Sequence, residues 1–510
     1  DVITDTVAMV KATKDPEFDI DRVPLDDPRV FALLGRGDTM GVFQLESPPM
    51  RALLRSMAPT SFDDVGALIA LYRPGPMSAN MHYDYADRKN GRKPVEFFHP
   101  DARELLTDTY GLMIYQESVM RVAQKFAGYS LAEADSLRKA MGKKSREVMA
   151  KERSNFEAGC EKQSYGRALG EQLFDVIAKF ADYAFNKSHS YGYGLITYQT
   201  AYLKAHHPVE YLACLLTSVK SNLDKAAVYL SDARAAAVKV LTPDINRSMM
   251  DFAAVPASQA PVDVALPFGC PGCITFGLSA IRNVGEGLVE LVLKERDANG
   301  PFENFYDFVE RAPEQVLNKR TIESLIKAGA FDSLGHPRKG LLMVYETIID
   351  ATVARRRERD QGVMSLFGDV GGDDSVFSEK REIPALQFDK AEQLKFEKEM
   401  LGLYVSDHPL MGIEGALRRR VDASIAEAVE REDNSFFTVG GIISALNRKY
   451  TRKGDLMATF MLEDLQGAVE VAVFPKTFQK YGHQLADDVI VTVKGRLRSE
   501  EHTSELQSHH

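Results

Sequence analysis

The hydrophobic period of the chain changes once along its length, and this change limits the folds open to it. Up to about residue 250, apolar residues recur at helical spacing between proline, glycine and capping residues, which predicts a succession of amphipathic helices. From Phe436 to Leu497, apolar and polar residues alternate in short runs, which is typical of an antiparallel β module of about five strands. The sequence therefore predicts a multidomain, mainly α chain that ends in a small all-β domain.

The middle of the chain differs from both ends in its composition and in the length of its helical patterns. After Asp251, proline, glycine and serine replace charged residues, as they do in linkers. Short helical patterns around glycine-containing hairpins run from Thr275 to Leu334. A long charged helix within residues 335–395 precedes the Gly/Asp stretch GDVGGDDS, which predicts a linker there.

Composition limits the partners and the compartment. The chain has 510 residues, enough for about three or four domains, and its net charge of −10 argues against non-specific coating of nucleic acid by the whole surface. One focused basic channel remains compatible with that charge. The four cysteines form no disulfide framework, and no apolar run approaches the ~20 residues of a membrane span. We therefore expect a cytoplasmic protein without a membrane partner.

Residues 136–153, SLRKAMGKKSREVMAKER, are locally basic in this acidic chain, with seven basic residues against two acids. On a helix, Arg138 and Lys139 lie one turn before Lys143 and Lys144. Charges so close repel one another unless an anion fills the gap, and a triphosphate or a nucleic-acid backbone would do so. A solvated helix face is the alternative interpretation.

A second candidate site lies in FADYAFNKSHSYGYGLITYQTAYLKAHHP, residues 180–208. Lys187 and His189 stand there among tyrosines, a combination that suits stacking on a base or a sugar. An aromatic core with a satisfied histidine is the alternative. In a third motif, LYRPGP, a rigid turn would fix the guanidinium group of Arg73.

These motifs occur together in one family. VFQLES, LYRPGP, YGLMIYQESVM, LRKAMGKK, FNKSHSYGYGLITYQTAYLKAHHP and LGLYVSDHPL resemble, in this order and over about residues 1–497, the C family of bacterial replicative DNA polymerases, the alpha subunits of DNA polymerase III. The resemblance implies DNA-templated DNA synthesis in chromosomal replication. It implies primer–template DNA, dNTP, a sliding clamp and other holoenzyme subunits as partners, and Mg²⁺ as the cofactor of the intact enzyme.

By the same resemblance, the basic and aromatic motifs belong to the fingers domain. The residues expected to bind the incoming nucleotide are Arg73, Arg138, Lys139, Lys143, Lys144, Lys187, Ser188 and His189. The first two basic residues of the helix would face the phosphates, and His189 would lie near the sugar.

The resemblance also implies domain boundaries. They are 1–58 for the end of the palm and the start of the fingers, 59–255 for the fingers, 256–335 for a tandem helix-hairpin-helix unit, 336–430 for a charged helix and linker that contains a clamp-binding peptide at 361–368, and 431–497 for an OB fold.

Metal-dependent phosphoryl transfer needs a cluster of carboxylates. The Asp-x-Asp pair at Asp19 and Asp21 lacks the strand-like apolar flanks of the family's catalytic pair. We therefore expect no catalytic residue and no metal ligand here, and expect the palm aspartates, the amino-terminal phosphoesterase-like domain and the carboxy-terminal tail to lie outside this chain. Cys270 and Cys273 form a lone Cys-x-x-Cys without the further ligands that zinc needs.

Two glycine-containing hairpins occur between amphipathic helices. LSAIRNVGEGLVELVLKER and NKRTIESLIKAGAFDSLG resemble a tandem helix-hairpin-helix unit, in which hairpin N–H groups and the positive end of the next helix bind a DNA phosphate without reading bases. Plain packing turns are the alternative. The expected DNA contacts are Arg282, Asn283, Gly285, Gly287, Lys319, Arg320 and Gly329.

The stretch RDQGVMSLFGDVGG carries a hydrophobic anchor in polar surroundings, which suits docking into a partner's groove. It resembles the family's sliding-clamp-binding peptide, Gln-x-Ser/Asp-Leu-Phe, except that a valine occupies the glutamine position and the nearest glutamine is two places earlier. The expected clamp contacts are Gln361, Val363, Ser365, Leu366 and Phe367.

The β module resembles an OB fold of the type that binds nucleic acid. A basic hairpin within it would supply charge and one stacking ring for single-stranded template, and a solvated hairpin is the alternative. The expected DNA contacts in this module are Arg448, Lys449, Tyr450, Arg452 and Lys453.

A chain that binds DNA and the clamp without catalysis is the alternative to an enzyme. DNA ligase, which also joins hairpins to an OB fold, needs Lys-x-Asp-Gly, and no Lys-x-Asp-Gly occurs in this sequence. No Walker-type Gly-Lys-Ser/Thr occurs either, which excludes a P-loop ATPase or helicase. Residues 498–510 resemble the in-frame translation of a common sequencing adapter, so we expect them to be an artefact without function.

Overall fold

The chain folds into two compact units. One contains residues 19–207, and the other contains residues 1–18 together with the chain from residue 208 onward. In this computed structural model the described residues are 1–143, 146–180, 185–266, 268–360, 381–402, 404–429, 431, 434–451, 454–465 and 467–497. Within them, no helix is both long enough and apolar enough to cross a bilayer.

Helices account for most of the regular structure. In chain order the α-helices are α1 (Val2–Thr13), α2 (Pro28–Gly35), α3 (Pro48–Met57), α4 (Phe62–Leu71), α5 (Pro74–Ser78), α6 (Met81–Lys89), α7 (Arg103–Leu106), α8 (Gln116–Ala127), α9 (Leu131–Lys143), α10 (Arg146–Lys162), α11 (Arg167–Phe180), α12 (Lys187–His206), α13 (Pro208–Ser218), α14 (Leu223–Ala235), α15 (Glu286–Asn299), α16 (Phe305–Arg311), α17 (Lys319–Ala328), α18 (Arg338–Asp360), α19 (Lys390–Leu401), α20 (Glu414–Arg418), α21 (Ile425–Val429) and α22 (Pro475–Tyr481).

Seven strands are present in the described residues, all in the unit that continues from residue 208. They are β1 (Lys239–Leu241), β2 (Ala253–Pro256), β3 (Gly272–Thr275), β4 (Phe436–Tyr450), β5 (Leu456–Glu463), β6 (Ala468–Val473) and β7 (Ile490–Arg496). The first three form a small sheet of order β1-β3-β2, in which β1 runs parallel and β2 antiparallel to β3. The predicted class, mainly α with a small β domain at the end, is confirmed.

Local capping signals explain where several helices begin. The Asp27 carboxylate accepts from the first backbone N–H groups of α2, which starts at the following proline. Ser61 and Asp64 form a reciprocal capping box at the start of α4. In LYRPGP, Pro74 begins the short helix α5 instead of only breaking the preceding one.

The core of the 19–207 unit depends on a close approach of α4 and α12. A Cβ atom added to Gly194 would lie 3.7 Å from the Gly66 backbone, and one added to Gly66 would lie 3.0 Å from the Tyr191 ring. The Ser190 hydroxyl donates to the Gly66 carbonyl at the same crossing. Small residues therefore let the two backbones meet, which fixes the orientation of α12 and of the side chains it presents.

The β module is an antiparallel sheet of order β6-β5-β4-β7. Its four strands coincide with four alternating stretches of sequence, one fewer than the number expected. The long strand β4 pairs with β7 through its first half and with β5 through its second, and its register shifts between Ser444 and Asn447, where Ala445 has a φ of 52°. Such a bulge bends a strand and lets the sheet curl, which is compatible with an OB fold.

Candidate nucleotide- and nucleic-acid-binding surfaces

The start of α12 is fixed by a carboxylate from another helix. The Asn186 side chain caps α12 by accepting from the His189 backbone N–H at 2.9 Å. Glu117 of α8 accepts from the Asn186 amide and from the Lys187 backbone N–H, each at 2.9 Å. Because both contacts hold the first turn, the predicted residues Lys187, Ser188 and His189 are placed together at one helix end, and the side chains of Ser188 and His189 are exposed there.

Lys187 is held by aromatic rings and one carboxylate. Its Nζ atom lies 5.3 Å from the ring centre of Tyr115 and 5.4 Å from that of Tyr191, and 3.1 Å from the Asp108 carboxylate. The Lys187 side chain remains 35% exposed. A phosphate could therefore reach this ammonium group only by sharing it with Asp108 or displacing that carboxylate.

An aromatic row extends from Lys187's neighbourhood along α12. The Arg73 guanidinium lies 4.2 Å from the Phe185 ring centre, Phe185 lies 5.4 Å from His189, and His189 lies 4.5 Å from Tyr193. Tyr193 stacks on Phe43 at 6.1 Å with an interplanar angle of 10°. We call these five residues the aromatic row. Burial lowers the pKa of the Arg73 guanidinium.

The aromatic row is open on its outer side. The side chains of His189 and Tyr193 are exposed, and a Cβ atom added to Gly192 would meet no atom within 4 Å. An exposed imidazole and phenol beside a guanidinium offer stacking faces and positive charge together, which is the combination that binds bases and sugar phosphates.

The basic stretch that begins on α9 is preceded by a carboxylate that pairs with two of its basic residues. Asp135 lies 2.8 Å from the Arg138 guanidinium and 2.8 Å from the Lys139 ammonium group, one turn away on α9. Hydrogen bonds from Lys139 and then Arg138 lower the pKa of the Asp135 carboxyl. Part of the local repulsion expected from sequence is therefore relieved within the helix. The side chains of Lys143 and Lys144 lie outside the described residues.

The first hairpin ends in three free amides. Gly285 is the N-cap of α15, and the backbone N–H groups of Gly285, Glu286 and Gly287 donate to no described residue. The φ angle of Gly285 is −82°, and a Cβ atom at Gly285 or Gly287 would meet nothing within 4 Å. Neither backbone conformation nor packing against the described residues explains these glycines. The space that their missing side chains leave open is therefore available to an external group.

Hydrogen bonds to α17 and α19 fix the position of the hairpin before α15. Asn283 adopts a left-handed conformation (φ 66°), its side-chain amide donates to the Ser324 hydroxyl at 3.0 Å, and its carbonyl accepts from the Thr321 hydroxyl at 3.2 Å. The Arg282 backbone N–H donates to the carbonyl of Met400. Asn283, expected from sequence as a DNA contact, therefore has its side chain engaged in positioning the hairpin.

The remaining residues expected in the two hairpins have different surroundings. The side chains of Arg282 and Arg320 are exposed and form no ion pair with any described residue. Lys319 is paired with Asp350 at 2.9 Å and Glu346 at 3.2 Å. Gly329 is buried at the end of α17 with a φ of 86°, and a Cβ atom there would lie 2.2 Å from the Arg338 guanidinium. The chain itself thus requires Gly329, while the two arginines remain available to a partner.

The basic hairpin of the β module is only partly described. Tyr450 is 75% exposed, and Lys449 is exposed beside it. The Arg448 guanidinium donates to the Leu485 carbonyl at 2.9 Å. Arg452 and Lys453 lie outside the described residues, as do the clamp-peptide residues Gln361, Val363, Ser365, Leu366 and Phe367 and the adapter-like residues 498–510.

The carboxylates described here do not fit a divalent-metal centre. Asp19 caps a 3₁₀ turn by accepting from the Asp21 backbone N–H and pairs with Arg22 at 3.2 Å, while Asp21 accepts from the Gln199 amide at 3.1 Å. Across the described ranges, no group of three or more His, Cys, Asp or Glu side chains is arranged to hold a metal ion. Cys270 and Cys273 are buried free thiols.

Several residues of these surfaces were not identified from the sequence. Asp108 and Glu117 come from segments about 70 or more residues away from α12, so no local pattern links them to it. Phe43 and Phe185 lie within the motifs VFQLES and FNKSHSYGYGLITYQTAYLKAHHP, but nothing in either motif links these two rings to the aromatic row. Asp135 could have been found, because opposite charges three and four residues apart pair on a helix.

Comparison with known proteins gives the class of the chain. Residues 1–164 match the bacterial DNA polymerase III alpha subunit finger domain, and residues 237–341 match a helix-hairpin-helix motif. A polymerase finger domain followed by a helix-hairpin-helix segment is the class that the fold and these two matches define.

Relatives extend the similarity to nearly the whole chain. It is 47% identical over 503 residues to DNA polymerase III subunit alpha of Mycobacterium leprae (strain TN), covering 97% of this chain and 41% of the relative. It is 42% identical over 503 residues to DNA polymerase III subunit alpha of Thermus aquaticus (97% and 39%) and 38% identical over 510 residues to that of Pseudomonas aeruginosa (96% and 42%). The chain belongs to the family of DNA polymerase III alpha subunits, and it spans about two fifths of the length of these relatives.

Proposed function

We propose that the chain supplies the nucleotide- and DNA-binding parts of a DNA-directed DNA polymerase in bacterial chromosomal replication. The single observation that carries this proposal is the hairpin at α15, where three amides donate to no described residue and no described neighbour requires the two glycines. Family membership supports the reaction class, attack of a primer 3′-hydroxyl on the α-phosphate of a dNTP with release of pyrophosphate.

The proposal assigns different tasks to the two units. The aromatic row and Lys187 in the 19–207 unit bind the incoming nucleotide, the rings stacking on it and the cations receiving its phosphates. The hairpin before α15, with Arg282 and Arg320, and the basic hairpin of the β module bind the DNA backbone and template. These tasks correspond to the proposed fingers, helix-hairpin-helix and OB domains at 59–255, 256–335 and 431–497.

Divalent metal remains outside the part of the reaction assigned to this chain. Polymerases of this kind use Mg²⁺ to stabilise the charge of the transferred phosphate. Since the described carboxylates do not fit such an ion, we derive only binding and orientation from these residues. The alternative function is a DNA- and clamp-binding module without catalysis. It is favoured for the isolated chain because no group of described carboxylates is arranged to hold a metal ion.

Replacing Gly287 with alanine should change stability and DNA affinity in opposite directions. Gly287 lies in the first turn of α15, where alanine should raise the free energy of unfolding by a few tenths to about 1 kcal/mol. The added methyl group would occupy the face that a phosphate approaches, so affinity for primed DNA should fall about tenfold. Fluorescence anisotropy and chemical denaturation measure the two effects.

Gly35 provides the matched control. It ends α2, a Cβ atom there would meet nothing within 4 Å, and no DNA contact is assigned to Gly35 itself. Gly35→Ala should leave DNA affinity unchanged. If Gly287→Ala binds DNA as tightly as the unmodified chain, the hairpin is a packing turn and the proposal loses its main support.

Clamp binding should be weak and should depend on two apolar side chains. Burying Leu366 and Phe367 in a groove would contribute roughly 3–5 kcal/mol before ordering costs, which alone corresponds to about millimolar affinity. We therefore expect the clamp to be bound with micromolar or weaker affinity. The double substitution Leu366→Ala/Phe367→Ala should abolish clamp binding in surface plasmon resonance, and Val363→Gln should strengthen it. Unchanged binding by the double alanine variant would mean that the segment is only a linker, and weaker binding by Val363→Gln would make Gln361 the residue in the glutamine position.

A further inference from the structure

The hairpin that we propose to bind a DNA phosphate contains an acidic residue. Glu286 is the first residue of α15, between Gly285 and Gly287, and its side chain is 67% exposed. A free carboxylate at this position would repel a phosphate. It would also compete with the phosphate for the positive end of the helix, which favours any nearby anion.

The Glu286 carboxylate is held by a lysine from a distant part of the chain. The Nζ atom of Lys220, which follows α13, lies 2.7 Å from the Glu286 carboxylate and 2.7 Å from the Asp251 carboxylate. It also lies 3.2 Å from the Ser279 hydroxyl, which in turn donates to Asp251 at 3.2 Å. Partial burial acts to lower the pKa of Lys220, but the hydrogen bonds to Asp251 and Glu286 raise it.

These contacts leave Lys220 little capacity to bind DNA itself. An ammonium group has three donors, and Asp251, Glu286 and Ser279 take all three. The Lys220 side chain is only 26% exposed, whereas Arg282 on the same hairpin is exposed and forms no ion pair with any described residue. Lys220 is therefore placed to bind and neutralise the Glu286 carboxylate, whereas Arg282 is free to contact DNA.

We propose that Lys220 is a positioning residue for DNA binding: it neutralises Glu286 and holds that carboxylate away from the free amides at the start of α15. This inference rests on the proposed function of the hairpin. Without Lys220, the Glu286 side chain would be free to turn towards the helix start, where it would occupy the place of a phosphate. The presence of an acid between the two glycines is then compatible with an anion-binding hairpin only because a cation is fixed beside it.

A rescue experiment tests this role. Labelled primer–template DNA is titrated with the full chain by fluorescence anisotropy. Lys220→Met should weaken binding about three- to tenfold. Glu286→Gln alone should bind at least as tightly as the unmodified chain. The double variant Lys220→Met/Glu286→Gln should return to the affinity of Glu286→Gln, because the charge that Lys220 controls has been removed.

The controls separate this role from a direct contact and from a structural one. Lys93→Met breaks an exposed ion pair with Asp84 at a residue to which no DNA contact is assigned, and it should leave affinity unchanged. If Lys220→Met flattens the plot of log K against log salt by about one unit and is not rescued by Glu286→Gln, Lys220 contacts a phosphate and the inference is wrong. A loss that accompanies a lower melting temperature, again without rescue, would assign Lys220 a structural role and would also overturn it.

Failure of the inference can be distinguished from failure of the proposed function. An unmodified chain that does not bind primer–template DNA would contradict the proposed function, and the inference with it. A chain that binds DNA and loses affinity in Gly287→Ala, but is indifferent to Lys220→Met, would leave the hairpin assignment intact and overturn only the role of Lys220.

Discussion

Replacing Arg338 with methionine should lower the free energy of unfolding of its unit by about 3–5 kcal/mol, because the change leaves a buried carboxylate without its cation. The Arg338 side chain is 5% exposed and its partner Glu397 is fully buried, with 3.1 Å between Nη1 and Oε1. The second Glu397 oxygen accepts from the backbone N–H and hydroxyl of Ser406. Asp332 completes the cluster, 2.6 Å from Nη2 of Arg338.

This cluster joins the segments that position the hairpin region. Arg338 begins α18, Glu397 lies on α19, and Asp332 follows α17. The C-cap residue of α17, Gly329, lies directly beside the guanidinium group. Burial acts to lower the pKa of Arg338, but the ion pairs with Asp332 and Glu397 raise it. The guanidinium is therefore charged, and its removal exposes the full cost of desolvating Glu397.

Two further variants test the explanation by urea denaturation. Arg338→Met/Glu397→Met should recover much of the loss, since an apolar pair of similar size needs no compensation of buried charge. Arg355→Met breaks an exposed pair with Glu310 and should cost less than about 1 kcal/mol. A midpoint for Arg338→Met equal to that of Arg355→Met would show that the buried cluster contributes no more than a surface ion pair.

Acidification from pH 6.5 to about pH 4 should destabilise the unit formed by residues 1–18 and the chain from residue 208, which also contains Arg338. The protonation of His408 alone should lower the free energy of unfolding of this unit by about 3 kcal/mol. His408 lies in LGLYVSDHPL, is 6% exposed, and accepts at Nδ1 from the Leu410 backbone N–H at 3.2 Å. Burial, followed by the positive charges of Arg234 and Lys398, lowers its pKa from 6.5 to about 4, and Asp407 opposes the shift.

The sign follows from the protons bound in each state. Between these two pH values the unfolded chain binds a proton at His408 that the folded chain does not, so stability is fully present above pH 6.5 and is lost as the pH falls towards 4. Denaturation midpoints of His408→Asn across this range should lack this slope, and carboxylates that titrate in both proteins cancel in the difference. The exposed His483 serves as control, and equal slopes for His408→Asn and His483→Asn would contradict the assignment.

Local signals were sufficient for most helices and insufficient for α12. The Asp27–Pro28 start, the Ser61 capping box and the glycine stop after α8 act through neighbouring residues, so the sequence predicts them directly. Apolar spacing alone does not indicate a helix before about residue 195, but α12 begins at Lys187. The reason is that KSHSYGYG has little apolar periodicity, and the extra turns depend on the Asn186 cap and on Glu117 from α8.

The residues of the candidate site were also predicted only in part, because the sequence shows local signals but not contacts from distant segments. Residue type alone identified Lys187 and His189 as candidates, because cations among tyrosines are visible in a short stretch of sequence. The carboxylates that hold Lys187 and Lys220 could not be identified from the sequence, since Asp108 is 79 residues from Lys187 and Glu286 is 66 residues from Lys220. The sequence therefore indicated which side chains are positive, and the fold decides which of them remain available to a phosphate.

The salt dependence of DNA binding tests the central claim most directly. For the unmodified chain and primed DNA, log K should fall linearly with log salt, because each phosphate contact releases condensed counterions. Arg282→Ala/Arg320→Ala should flatten that slope by up to about two units for any DNA sequence, while Arg92→Ala, which removes an exposed cation paired with Asp87, should not change it. Binding that is insensitive to salt, or a slope that the double variant leaves unchanged, would contradict the proposal that this chain binds the DNA backbone through its helix-hairpin-helix surface.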